Sequence, residues 1–94
     1  MARSTDDHSA RIGAPEAMRG AARQLGELLG TEPAAVSTLR ATDTGWLAQV
    51  EVVEVDRVPE TTSILASYRV ELDPEGRLLG YERTRRYARG QLDR

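Results

Sequence analysis

The residues best suited to chemistry in this sequence are arginines and tyrosines that alternate near its C-terminal end. They are Tyr81, Arg83, Arg85, Arg86 and Tyr87, in a stretch with the period of a strand. On a regular strand, Arg83 and Arg85 share one face with Tyr81 and Tyr87. Guanidinium groups pair with carboxylates or phosphates, and tyrosine rings add stacking area. These five residues are the predicted partner-binding site.

Three interpretations of this run stay open from the residues alone. The arginines could bind an acidic protein surface or hold nucleic acid. They could instead only protect an edge strand, by pairing with the acids of neighbouring strands. The sequence pI of about 5.4 counts against nucleic acid, because domains that bind it are usually strongly basic.

Acidic residues on an earlier strand raise the question of catalysis or metal binding. Glu51 and Glu54 are three residues apart, so a period of two puts them on opposite faces unless a bulge intervenes. We interpret them as acids on a solvated strand. The sequence has no cysteine, no glycine-rich phosphate loop and a single histidine, His8, in a polar segment. We therefore expect no catalytic residue, no metal site, no cofactor and no enzyme activity.

The elements that must position these side chains are one helix and four strands. Apolar residues recur at three- and four-residue spacing over residues 15–29, which predicts an amphipathic helix that ends at Gly30. Runs rich in β-branched residues predict strands at 35–42, 46–56, 63–72 and 77–87. The fold class is therefore α+β, with an N-terminal helix packed on a four-stranded antiparallel meander.

The same pattern predicts how the strands face and pair. The buried face of the second strand is predicted to carry Trp46, Ala48, Val50 and Val52. A turn is expected at residues 73–76, with Pro and Gly at the positions that a type I turn prefers. Hydrophobic matching across this turn favours a register that pairs Leu72 with Arg77, Val70 with Leu79 and Tyr68 with Tyr81. A three-residue loop, which would swap the faces of the last strand, stays open.

Composition limits the size and location of the domain. The 94 residues are expected to form one domain at 14–90, between disordered ends at 1–13 and 91–94. The core must be small because Phe is absent and Trp46 is the only tryptophan, which favours a partner or a homodimer through an edge strand. No apolar run could cross a bilayer, and the first residues lack the apolar middle of a signal peptide. We expect a cytoplasmic protein without membrane contact.

Charge is distributed unevenly between the strands. Residues 51–75 carry seven acids against two arginines, a local net charge of -5. Residues 76–94 carry six arginines against two acids, a local net charge of +4. The last strand is therefore predicted to be basic beside acidic neighbours.

Four segments of the sequence together resemble the gas vesicle protein O family. They read WLAQVEVVE at residues 46–54, RVPETT at 57–62, ILASYRVELD at 64–73 and GYERTRRY at 80–87. The similarity covers residues 36–90, and the helix and first residues resemble the family only in general character. The use of arginine instead of lysine throughout is similar to an actinobacterial member.

The resemblance implies a role in building gas vesicles, the gas-filled, protein-walled compartments that give cells buoyancy. Family members are accessory proteins rather than the main wall protein, and no catalytic residues carry over. We therefore expect a non-enzymatic assembly factor that binds other gas vesicle proteins, in the cytoplasm with gas vesicles or their assembly intermediates. The alternative is a nucleic-acid-binding regulatory domain that uses the last strand.

Overall fold

The computed structural model of the protein describes residues 11–90. One helix precedes four strands, and a short 3₁₀ helix, Glu60–Thr62, lies between the second and third strands. The elements are α1 (Ala14–Leu29), β1 (Pro33–Thr42), β2 (Gly45–Val55), β3 (Ile64–Leu72) and β4 (Leu78–Ala88). The strands form one antiparallel sheet in the order β1-β2-β3-β4. The predicted α+β class and meander topology are confirmed.

The helix forms where its termination signals and apolar spacing predict it. Proline stands in its first turn, and Gly30 ends it in the left-handed conformation at φ 71°, with its N–H bonded to the oxygen of Gly26 at 2.8 Å. Ala17, Ala21 and Leu25 fall on one side of the helix and are fully buried. This side packs on the sheet. No helix in residues 11–90 is long and apolar enough to span a membrane.

The sheet has two chemically different faces. The face under α1, which we call the helix face, carries the core. Its buried strand residues are Trp46, Ala48, Val50, Val52, Val70 and Leu72. The predicted buried face of β2 is therefore confirmed. We call the opposite side the open face.

The side chain of Gln24 connects α1 to the start of β4 by two hydrogen bonds. Its side-chain amide donates to the oxygen of Gly76 at 2.8 Å, and its side-chain oxygen accepts the N–H of Leu78 at 3.0 Å. Gly76 lies in the turn before β4, and Leu78 is the first residue of the strand. The later residues of β4 consequently extend past the helix, which leaves their helix-face side chains exposed.

The predicted register of the last hairpin is wrong. Asp73 donates its N–H to the oxygen of Arg77 at 2.8 Å, so Arg77 closes the turn and cannot pair with Leu72. Two β-bulges in β4, at Leu79 and Thr84, then add one unpaired residue each. The observed pairs are Leu72 with Leu78, Val70 with Tyr81 and Tyr68 with Arg83.

Two residues of the predicted N-terminal tail contact the sheet. Arg11 donates to the backbone oxygens of Thr42 at 3.0 Å and Gly45 at 3.2 Å, and its guanidinium lies 5.6 Å from the ring centre of Trp46. Ile12 packs against the core. Gly45 itself has φ 151°, and a Cβ there would overlap the backbone oxygen of Leu72. The rest of the predicted ends, 1–10 and 91–94, lies outside the described residues.

Candidate functional site

The bulge at Thr84 divides the predicted binding residues between the two faces of the sheet. Arg83 lies opposite Tyr68 and Arg85 lies opposite Ser67. Ser67 and Tyr68 are successive residues of β3, and successive residues of a strand point to opposite faces. Arg83 is therefore on the helix face and Arg85 is on the open face. The expectation that these two arginines share a face with both tyrosines is therefore wrong. Tyr81, Arg83 and Arg86 belong to the helix face, and Arg85 and Tyr87 belong to the open face.

On the helix face, two arginines of β4 hold one carboxylate of β2. Arg86 donates from Nε to Glu54 Oε1 at 2.7 Å, and Arg83 donates from Nη1 to Oε2 at 3.2 Å. The arginines reach across β3, where Ala66 lies opposite Arg86 and is small enough to leave room. The hydrogen bond from Arg86 lowers the pKa of Glu54 below its usual value; partial burial opposes this, and Arg83 adds to it.

Two tyrosines extend this group along the helix face. The rings of Tyr68 and Tyr81 lie 6.1 Å apart between centres at an interplanar angle of 47°. Tyr81 is 44% exposed, whereas Tyr68 is half-buried. Arg83 pairs directly with Tyr68 in the β-ladder. We call this contiguous surface, Glu54, Tyr68, Tyr81, Arg83 and Arg86, the Glu54 patch.

A shallow hollow borders the Glu54 patch where the helix ends. Its volume is about 250 Å³. The lining residues are Leu29, Thr31, Val52, Val53, Glu54 and Tyr68. Glu54 and Tyr68 therefore belong both to the hollow and to the patch, so a partly apolar depression is continuous with a charged rim.

On the open face, another glutamate of β2 gathers donors from all four strands. Glu51 Oε1 accepts from the hydroxyls of Ser67 and Tyr87, each at 2.6 Å. Glu51 Oε2 accepts from Ser37 Oγ at 2.7 Å and Gln49 Nε2 at 3.0 Å. We call these five residues the Glu51 cluster. The cluster links the four strands through side-chain hydrogen bonds and occupies both oxygens of the Glu51 carboxylate.

The surroundings of the Glu51 cluster shift two pKa values in opposite directions. Burial acts to raise the pKa of Glu51, but the hydrogen bonds from Ser67, Tyr87, Gln49 and Ser37 outweigh it and lower that pKa. Burial first, and then the hydrogen bond to Glu51, raise the pKa of Tyr87. The guanidinium of Arg85 lies 4.5 Å from the ring centre of Tyr87. Tyr87 is only 8% exposed, so a partner would reach Arg85 more readily than Tyr87.

Sequence reasoning missed residues on each face. Glu54 and Tyr68 are not among the predicted binding residues, although the predicted pairing of Tyr68 with Tyr81 pointed toward Tyr68. Glu51 was interpreted as solvated, whereas it is half-buried and fully bonded. Only the strand register brings Ser67 and Tyr87 to it.

The arrangement is suited to binding acidic or aromatic groups. Within residues 11–90, no group of three or more His, Cys, Asp or Glu side chains is placed to hold a metal ion. The Glu54 patch contains one carboxylate and two guanidinium groups, a net charge of +1. Arg83 and Arg86 remain about half exposed, so further donors face outward.

Comparison with known proteins identifies the relatives of this chain. The family model described as "Gas vesicle synthesis protein GvpO" matches residues 1–93. The chain belongs to this family. The resemblance of its strands to gas vesicle protein O is thereby confirmed.

Three curated relatives of this family are similar to the chain. A Streptomyces gas vesicle protein O is 56% identical over 77 residues, which cover 82% of this chain and 60% of the relative. Gas vesicle protein O1 of Halobacterium salinarum is 46% identical over 50 residues, covering 53% and 42%. Gas vesicle protein O of Haloferax mediterranei is 35% identical over 90 residues, covering 95% and 64%. The chain thus spans less than two thirds of each relative. No solved structure matches it.

Proposed function

We propose that this chain is a non-enzymatic accessory protein of gas vesicle assembly that binds other gas vesicle proteins through the Glu54 patch. Membership of the GvpO family supports the process, since the family description names gas vesicle synthesis. The cytoplasm, where gas vesicles are built, is the proposed location. Arg85 and Tyr87 lie on the open face, so this proposal leaves them outside the contact.

The exposed part of β4 is the observation that carries the proposal. The helix meets β4 at Leu78 and leaves Tyr81, Arg83 and Arg86 uncovered farther along the strand. Tyrosine and arginine are the residue types that most often supply interface energy. Glu54 holds both guanidinium groups in place before a partner arrives, which reduces the entropy lost on binding.

The pairing of the arginines favours protein over nucleic acid as the partner. Nucleic-acid binding relies on several basic side chains that can each neutralise a phosphate. On the helix face, Arg83 and Arg86 are bonded to Glu54. Arg69 and Arg85 lie on the open face, where Arg69 is bonded to Glu82 at 2.7 Å. The helix face therefore offers a small positive excess rather than a basic track.

Co-purification tests the proposal with a matched control on the opposite face. The tagged chain is co-expressed, one at a time, with each gas vesicle protein of the same organism. We expect at least one of them to co-purify with the unchanged chain. Arg83→Gln combined with Arg86→Gln should reduce its capture by about tenfold, the usual scale for losing charge-assisted bonds at an interface. Arg85→Gln, which removes one positive charge from the open face, should reduce capture less than about twofold.

Two results would overturn this assignment, once circular dichroism shows that the variants are folded. One is unchanged capture by the chain that carries Arg83→Gln and Arg86→Gln. The other is an equal loss with Arg85→Gln, which would mean that overall charge rather than the patch drives capture. Binding of labelled duplex DNA that weakens steeply with salt, without capture of any gas vesicle protein, would replace the proposal with the nucleic-acid alternative.

A further inference from the structure

The hollow beside the Glu54 patch is large enough for an aliphatic side chain but small for a separate ligand. Its volume of about 250 Å³ lies below the ~300–1,000 Å³ of usual small-molecule sites. Leu29, Val52 and the ring of Tyr68 make about half of its lining apolar, and Thr31 and Glu54 contribute to the polar half. An aliphatic side chain that entered it would leave water and contact these groups.

The rim of the hollow carries the donors for a carboxylate. Each of the two arginines bonds to Glu54 through one nitrogen, and an arginine has five N–H donors. The arginine side chains are 51% and 55% exposed, while Glu54 beneath them is 20% exposed. The remaining donors therefore point away from Glu54, toward solvent, with a net positive charge.

These two features lie side by side because they share residues. Glu54 is both on the rim of the hollow and between the two guanidinium groups. Tyr68 lines the hollow, contacts Tyr81 and pairs with Arg83. A short segment that crosses Tyr68 would meet a partly apolar depression and then a cationic pair.

We infer that the occupant of this surface is a short acidic segment of another protein, with an aliphatic side chain next to a carboxylate. The aliphatic side chain fills the hollow, and the carboxylate binds the outward donors of Arg83 and Arg86. Tyr81 covers the part of the segment that lies between its aliphatic side chain and its carboxylate. This inference rests on the proposed function and adds the chemistry of the partner to it.

Peptides of defined composition test the inference without knowledge of the natural partner. The probe is a soluble labelled peptide in which one central Leu is flanked by Glu residues. Two-dimensional NMR of the whole chain should show peptide-induced shifts at Thr31, Tyr68 and Arg83, with little change at Arg85. The affinity expected for so small a contact is weak, with a Kd on the order of 0.1–1 mM.

Matched changes on both sides separate the two contacts. A peptide with Ser in place of Leu should bind about tenfold more weakly, because the buried aliphatic group is lost. A peptide with Gln in place of every Glu should bind at least about tenfold more weakly, as should the chain with Arg83→Gln and Arg86→Gln. Arg85→Gln should change the affinity by less than about twofold.

The outcomes distinguish this inference from the function on which it rests. Equal binding of the Leu and Ser peptides, equal loss with Arg85→Gln, or shifts confined to the open face would each overturn it. Absence of peptide binding in the millimolar range would do the same. If a gas vesicle protein is still captured through Arg83 and Arg86 in that case, the proposed function stands and only the acidic aliphatic segment is wrong.

Discussion

Glu51 and Glu54 lie three residues apart on β2, and both accept hydrogen bonds from β4 across β3, but on opposite faces. Glu51 receives donors on both oxygens, Oε1 from the buried Ser67 and Tyr87 and Oε2 from Gln49 and Ser37. Glu54 receives two arginines that keep about half of their surface exposed. The first arrangement is closed, whereas the second leaves donors available to a partner.

A glutamate of β2 that accepts hydrogen bonds from β4 can therefore either stabilise the fold or help to present a binding surface. A hydroxyl group has a single O–H to donate, and Glu51 accepts those of Ser67 and Tyr87. Guanidinium donors have bonds left after Glu54 is satisfied. The difference therefore lies in the β4 residue, tyrosine on one face and arginine on the other, rather than in the acid.

The largest expected difference between the two glutamates is in stability. Glu51→Ala should lower the free energy of unfolding by about 2 kcal/mol or more, because it leaves the buried hydroxyls of Ser67 and Tyr87 without an acceptor. Glu54→Ala should cost less than about 1 kcal/mol, since it removes only partly exposed ion pairs. Urea unfolding of both variants measures this. Equal losses of unfolding free energy in the two variants would contradict the distinction between Glu51 and Glu54.

A smaller effect is expected from acid. The pKa of Glu51 is lowered in the folded protein, so protonation favours the unfolded state. Its contribution to stability is present above the ordinary glutamate pKa of 4.5 and is lost as the pH falls through the lower folded value. Glu51→Gln cannot lose this contribution, so the stability gap between it and the unchanged chain should narrow on acidification. A gap that is constant from pH 6 down to about 3 would contradict this sign.

Much of the fold could be predicted because the central strands obey simple alternation. The period of two along β2 identified its buried face, from Trp46 to Val52, since β3 pairs with this stretch residue for residue. The last hairpin could not be placed in this way. Asp73 extends the turn to Arg77, and the bulges at Leu79 and Thr84 have no distinctive sequence signal.

The residue types of the candidate site could be predicted, but their grouping could not. The arginines and tyrosines of β4 were identified from composition and spacing alone. One unpaired residue, Thr84, then reverses the faces of everything after it, which separates Arg85 from Arg83. Glu54 joins the site from two strands away, a contact that depends on the small side chain of Ala66 between them.

Photo-crosslinking from each face tests directly whether the helix face binds gas vesicle proteins. A photoreactive phenylalanine derivative replaces Tyr81 on the helix face or Arg85 on the open face, in cells that make gas vesicles. We expect crosslinks from position 81 to a gas vesicle protein, through a segment that contains acidic and aliphatic residues, and far fewer crosslinks from position 85. Crosslinks to gas vesicle proteins from position 85 but not from position 81 would contradict this expectation.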